Sequence, residues 1–308
     1  MNIKPEIITW LLNSDPAIRW QVMQDLQDLR EATYIQERQK LVEKGWCAEL
    51  LRLQDKDGLW NQSLYNGKWI STTYTLYLLK VFGLVPFNLQ ALAACAQLFT
   101  QGIYNQNEIR FSRNQKLQDL GITGLILSMC CYFGYHQERL HSITEYLASQ
   151  QSREGNWLPN ASAKSTVYTF ETTLIVLEAL LQYRNRYPTG NGLEANVETK
   201  GQEYLLKHQL YLDGGKAMKT NWISFSFPPY WFYDVLTALD YFQRFGHNKD
   251  KRIQAGIDLI VEKQNKEGTW NLESKHPGKI YFEMEIPGKP SKWNSLRALR
   301  VLKWWGGG

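Results

Sequence analysis

Apolar residues along the chain fall into segments of helical period, and none shows the sustained alternation of a long strand. They come in pairs. One set ends on a Gln: 49–53 leads to Gln54, 145–149 to Gln151 and 259–263 to Gln264. Each of these runs into Gln-x-x-x-Gly-x-Trp: Gln54-Gly58-Trp60, Gln151-Gly155-Trp157 and Gln264-Gly268-Trp270. A degraded copy follows 204–206 at Gln209 with Asp213-Gly214, and a fainter one lies at Gln101. The five Gln positions are 47, 50, 58 and 55 residues apart, room for two helices and their loops. Gly in each copy supplies a left-handed or tight-turn position after a helix. The Trp packs while its indole N–H finds a partner.

The second set opens on Ser, Thr, Asp or Pro. Asp15-Pro16 predicts an N-cap with Pro in the first turn and a helix over 17–29. Ser71-Thr72-Thr73 precedes 74–81, Asp119 precedes 120–131, Thr172-Thr173 precedes 174–181, Pro228-Pro229 opens 230–242 and Ser291 precedes 293–304. The pattern predicts one all-α domain over 1–308, an (α/α)6 barrel or toroid of helix pairs, with 306–308 as a glycine tail.

Composition changes this picture in one respect. Hydrophobic residues at 44% and charged residues at 21% are ordinary, but 12 Trp and 17 Tyr are many. That excess must line repeat junctions or a cavity. Net charge is +5 with the basic residues scattered, so no nucleic-acid stripe is expected. The balance suits an anionic ligand or peripheral contact with an anionic membrane equally well. No run of 18 apolar residues exists, the N-terminal segment lacks a signal-like pattern, and the four Cys show no paired spacing. Reduced thiols in the cytoplasm are expected.

The Gln-x-x-x-Gly-x-Trp copies resemble the QW repeat of squalene-hopene and oxidosqualene cyclases and of the β subunits of protein prenyltransferases. Asp15 to Gln21, Phe225 to Pro229 with Tyr233 to Leu236, and Arg297 to Leu302 look like short bacterial squalene-cyclase-like proteins. Those include single-domain class II terpene cyclases of the merosterolic acid synthase type. The resemblance implies alternating inner and outer helices, with inner-helix N-termini facing a central cavity. It implies a reaction in which a carboxylic acid protonates a C=C bond or epoxide of a polyprenyl or prenylated aromatic substrate, and the polyene then closes on itself.

In the prenyltransferases zinc sits on Asp-x-Cys at one inner-helix start and His at the next. The matching positions here are Asp119-Leu120-Gly121 and Glu171, so neither thiolate nor imidazole is present and zinc is not expected. The five His, at 136, 141, 208, 247 and 276, lie away from inner-helix starts. Asp25 and Asp28 share one helix, Asp55 and Asp57 one turn; all four read as solvated, which gives no indication of magnesium or of diphosphate ionisation. No cofactor is expected.

The cyclases' acid motif, Asp-x-Asp-Asp, corresponds in place to Asp119 to Gly124, where it is incomplete. Asp119 is the first candidate acid, or else an ordinary N-cap. Glu171 is the second, or else a first-turn Glu favoured by the helix dipole. Were both in one cavity, repulsion would keep one protonated. Gly121 would leave room for substrate or serve close packing. For the cation, inner-helix starts supply Trp20, Trp69, Tyr74, Tyr168, Phe170, Tyr230, Trp231, Tyr233 and Trp293, each a packing residue or a ring face for a carbocation. Arg19, with Lys68, would anchor an anionic head group, or Arg19 would pair with Asp15. A non-catalytic lipid-binding toroid and a carbohydrate-active (α/α)6 enzyme using Asp119 and Glu171 are the alternatives.

Overall fold

The computed structural model describes residues 3–105, 107–111, 119–136, 138–158, 166–188 and 193–307, without the side chains of 104, 166–168, 193 and 194. Among the described residues it is mainly helical, with strand confined to three two-residue antiparallel pairs. The helices in chain order are α1 (Pro5–Leu12), α2 (Pro16–Gln21), α3 (Glu31–Gln39), α4 (Gly45–Arg52), α5 (Thr72–Phe82), α6 (Leu89–Gly102), α7 (Leu120–Phe133), α8 (Arg139–Ser149), α9 (Thr166–Arg186), α10 (Leu193–Lys207), α11 (Val235–Phe245), α12 (Gln254–Glu262) and α13 (Lys292–Gly306). Val22–Leu26 continues α2 as a π-helical turn.

α5, α7, α9, α11 and α13 pack each against the next, and α13 packs back against α2 and its π-turn. The remaining junction is made by side chains: Trp20 Nε1 donates to the Phe82 carbonyl (2.8 Å) and Gln21 Nε2 to that of Val81 (3.2 Å). α4, α6, α8, α10 and α12 lie outside this succession, each against the inner helix that precedes or follows it.

The three motif copies make the same hydrogen bonds. Indole N–H groups of Trp60, Trp157 and Trp270 donate to the carbonyls of Leu50, Leu147 and Ile260, each at 2.7 Å. Their backbone N–H groups donate to inner-helix hydroxyls, Thr72 (2.9 Å) and Ser295 (2.9 Å) in first turns and Thr173 (3.1 Å) further along α9. Each Gln amide donates to its own Gly carbonyl, and those of Gln54 and Gln151 reach the next outer helix at Gln90 and Val197 as well. All three indoles are fully buried. Gly155 has φ +94°, and a Cβ there would lie 2.3 Å from the Lys200 carbonyl, so the close approach of α10 needs glycine. The motif is therefore a clamp that ties an outer-helix end to the following inner helix. Near the two degraded copies the chain forms short hairpins, Ile103–Tyr104 with Glu108–Ile109 and Leu212–Asp213 with Lys216–Ala217; the hydroxyl anchor survives as Ile109 N–H to Thr123 Oγ1 (3.1 Å).

Replacing Trp157 by Phe keeps most of the buried ring but removes the indole donor and part of the ring volume, leaving the Leu147 carbonyl to the Gln150 N–H (3.2 Å). The expected loss is about 1–3 kcal/mol, read from the urea midpoint at constant slope.

Four sequence expectations need correction. The helix expected to open after Thr172-Thr173 begins at Thr166 as α9, because the helical run continues back through the buried Thr169 and Phe170, so Glu171 lies in its second turn and not at its start. The Pro228-Pro229 helix does not start at 230: α11 begins at Val235, because Asp234 caps it by accepting from the Thr237 N–H (2.6 Å). Residues 225–234 instead form an irregular segment in which Tyr230 has φ +50°. At the C-terminus Gly306 closes α13 and the Gly307 N–H bonds the Lys303 carbonyl (2.9 Å), so the helix extends into the expected tail; Gly308 lies outside the described residues. Asp25 is not a solvated surface residue, as described below. No described helix is long and apolar enough to cross a membrane.

Candidate functional site

Each inner helix turns one stripe toward a shared cavity of about 500 Å³. The stripes follow the helical period: Trp20, Gln21, Gln24 and Asp25; Tyr77, Lys80 and Val81; Leu125, Ser128 and Tyr132; Glu171, Leu174, Ile175, Glu178 and Gln182; Thr237, Asp240, Tyr241 and Arg244; Trp293, Arg297 and Arg300. The irregular segment before α11 adds Phe227 and Tyr230 to Tyr233.

The two ends differ chemically. At the inner-helix N-termini the wall is aromatic. Tyr230 stacks on Trp69 (ring centroids 4.0 Å), Trp231 on Phe232 (4.0 Å) and Phe227 on Trp293 (4.4 Å). This end is covered by the chain between the paired strands Trp270–Asn271 and Pro290–Ser291. Trp69 Nε1 donates to the His276 carbonyl (3.1 Å), the Tyr281 hydroxyl to that of Ile70 (2.9 Å), and the Lys279 N–H to that of Lys68 (2.7 Å). Glu285 secures the cover by accepting the Lys292 N–H (2.7 Å) at the start of α13. Burial pushes the Glu285 carboxyl up and the His276 imidazole down to about 4.

Toward the inner-helix C-termini the wall is ionic. Lys80 meets Glu178 (2.8 Å) and Ser128 (2.6 Å), and Arg244 joins Glu178 (3.0 Å) to Asp240 (3.3 Å). Arg300 joins Asp240 (2.8 Å) to Asp25 (2.6 Å). Arg297 donates to Thr237 Oγ1 (2.7 Å) with Asp234 at 4.0 Å. Lys80, Arg244 and Arg300 thus face Asp25, Glu178 and Asp240 in a belt to which Ser128 adds the sixth inner element, while Arg297 and Asp234, the cap of α11, lie nearer the aromatic end. Burial pushes the Glu178 carboxyl up, but Arg244 and Lys80 outweigh it and hold it down at about 2. The same opposition, with Arg300 foremost among the cations, holds Asp240 below its ordinary value. Gln24 is exposed at this end, and the Arg244 side chain retains 34% of its exposure, so solvent reaches the belt.

Glu171 lies on the α9 stripe seven residues before Glu178, about 10 Å nearer the aromatic end at the α-helical rise. Burial raises its pKa, opposed by Lys219 Nζ at 3.4 Å. Among the described residues it is the cavity-lining carboxyl with a raised pKa.

Of the residues singled out in the sequence, Glu171, Trp20, Tyr230, Trp231, Tyr233 and Trp293 line the cavity. Trp69 and Tyr74 stand behind Tyr230, with Tyr74 edge-on to both rings. Phe170 is buried among Tyr204, Trp222 and Tyr233. The Tyr168 side chain lies outside the described residues. Asp119 is off the lining: it caps α7 by accepting the Ile122 N–H (3.0 Å), and Gly121 is beside it. Burial raises the Asp119 carboxyl, with Glu108 as its like-charge neighbour, so Asp119 and Glu171 are not the coupled pair expected. Arg19 points away, to Glu37 (2.5 Å) and the Ser14 carbonyl, because Asp15 is already engaged by the N–H groups of Ala17 and Trp46. Lys68 Nζ sits 5.0 Å from the Trp231 ring. Among the described residues no group of three or more His, Cys, Asp or Glu converges as for a metal ion.

The belt escaped the sequence reading. Its signal was there, polar residues three, four or seven apart on apolar helices, but that pattern also describes a helix with one face in solvent.

No protein-family model matches the chain, and no curated protein does. Among solved structures it is similar to a protein from Actinoplanes, at 14% identity over 95% of this chain and 90% of that one, TM-score 0.49. It is also similar to an apo type II terpene cyclase from Scytonema, at 16% identity over 94% and 88%, TM-score 0.48. A variant of that cyclase in complex with geranylgeranyl dihydroxybenzoate matches at 16% identity over 94% and 85%, TM-score 0.45.

Proposed function

We propose that this chain is an (α/α)6 toroid acting as a class II terpene or meroterpenoid cyclase on a polyprenyl or prenylated aromatic substrate, with Glu171 as the acid. The observation that carries the proposal is one carboxyl with a burial-raised pKa in the wall of an aromatic-ended cavity. Protonated Glu171 would give its proton to a terminal C=C bond: the carboxyl O–H breaks and a C–H bond forms. Internal alkenes then attack the cation in turn, and loss of a proton from the last cation restores neutrality, so the product is an isomer. The rings of Tyr230, Trp231 and Trp293 would stabilise the cations, each contact worth about 0.5–2 kcal/mol. The cover over the aromatic end would keep water, the competing nucleophile, away.

Incubation with a panel of polyprenols and prenylated phenols tests this. Cyclised products of unchanged mass are expected, each carrying one deuterium when formed in D₂O. Absence of any such isomer across the panel would sink the proposal.

A non-catalytic lipid-binding toroid is favoured by one observation: Lys219 beside Glu171 supports the carboxylate form. It predicts a retained apolar ligand and no turnover. The glycosidase alternative lacks its carboxylate pair, since Asp119 stands off the cavity lining.

A further inference from the structure

From the charge balance of the ionic belt we infer the polar part of the ligand: an uncharged head group that donates a hydrogen bond, an alcohol or phenol, seated at the belt with its apolar tail toward the aromatic end. This rests on the cavity being an isoprenoid site and is independent of turnover.

The aromatic end is covered by the 272–290 segment, whereas the belt is the solvent-reached end, so an amphiphile that enters tail first leaves its head among the ions. The belt carries as many carboxylates as cations, and its cations are already engaged. Arg244 spans Glu178 and Asp240, Arg300 spans Asp240 and Asp25, and Lys80 holds Glu178 and Ser128. A carboxylate or diphosphate head would have to take a cation from a partner carboxylate that stays in the wall beside it. That exchange leaves a poorly solvated anion without its counter-charge. An uncharged head displaces no ion pair.

The belt also offers an acceptor. Gln243, on α11 one residue before Arg244, lines the cavity, and its buried Oε1 has no hydrogen-bond partner among the described residues. A buried amide oxygen without a partner is costly, and a ligand O–H would satisfy it.

The test compares one tail with three heads: geranylgeraniol, geranylgeranic acid and geranylgeranyl diphosphate, titrated at pH 7.5 against the intrinsic fluorescence of the full-length protein. Trp20, Trp231 and Trp293 in the cavity wall are the reporters. The alcohol is expected to bind at least about 10-fold more tightly than either anion, one hydrogen bond and one avoided ion-pair exchange each approaching that factor. Gln243→Leu, which changes no charge, should weaken the alcohol about 10-fold and leave the acid unchanged. Glu178→Gln gives the belt one net positive charge and should narrow or invert the preference. Equal or tighter binding of the anions by the unaltered protein would overturn the head-group inference while leaving the isoprenoid site standing. Failure of all three to bind would overturn the isoprenoid site, and the inference with it.

Discussion

Glu171→Gln is expected to abolish cyclisation, lowering kcat by about 10²–10⁴ while the urea midpoint stays within about 1 kcal/mol of the parent. An amide has nearly the shape of the acid but cannot supply the proton. The fold should tolerate the change because, among the described residues, the polar partner of the Glu171 carboxyl is Lys219 at 3.4 Å, and burial is the main cause of its raised pKa. Asp119→Asn is the control. Its side-chain oxygen accepts from the Ile122 N–H, a bond an amide oxygen can keep, so capping and activity should both persist. Activity surviving in Glu171→Gln and lost in Asp119→Asn would move the acid to Asp119. The pH profile gives an independent reading. Turnover requires the protonated acid, so the rate must fall as pH rises through the raised pKa of Glu171. Lys219→Met removes the group that lowers that pKa, and the falling limb should shift to higher pH. A limb that stays in place would exclude Glu171 as the titrating acid.

The second large effect is on stability. Arg300→Met should cost about 3–5 kcal/mol at pH 7, because it strips the principal counter-charge from two carboxylates in the wall at once. Arg300 and Asp240 side chains are each 11% exposed and Asp25 19%, far from the freely solvated pairs that are worth under about 1 kcal/mol. The lost bonds also join α13 to α11 and to the π-turn after α2, where the last inner helix meets the first. The pH dependence has a definite sign. Asp240 has a folded pKa below its unfolded value, so its contribution is complete above about pH 4 and disappears as pH falls through the folded value. The gap between parent and variant should therefore shrink on acidification, starting as the orphaned, buried carboxyl takes up its proton and ending once the pH has passed below the lowered value of Asp240 in the parent. Removing charge from both sides, Arg300→Met with Asp240→Asn, should recover part of the loss. A penalty under about 1 kcal/mol for Arg300→Met, flat with pH, would show the belt to be ordinary solvated surface.

How much of this was legible beforehand depends on what kind of interaction decided each feature. The local half of the three clamps was legible in the chain. Each Trp indole bonds a carbonyl ten residues back and each Gln bonds its own Gly, whereas the reach of Gln54 and Gln151 to Gln90 and Val197 depends on the packing of the next outer helix. Helix starts at Asp15, Asp119 and Ser291 were legible for the same reason, since a cap is a bond between near neighbours. The start of α11 was not, because Pro228-Pro229 and Asp234 both looked like openings and only the seating of 225–234 against the cavity chose between them.

The sequence by itself determined the all-helical character and supplied Glu171 and an aromatic surplus, but it set them at helix starts, whereas α9 begins five residues before Glu171 and Tyr230 to Tyr233 precede α11. The tertiary structure decided which of those residues meet. It took Arg19 away to Glu37, left Asp119 as a cap off the lining, put Phe170 into the core, and turned Asp25, Lys80, Glu178, Asp240, Arg244 and Arg300 inward as one neutral belt. The physical reason is that a helix's period reveals that it has a polar face but not what that face looks at. Water and an internal ring of counter-charges satisfy the same side chains, and only closing the succession of helices on itself distinguishes them.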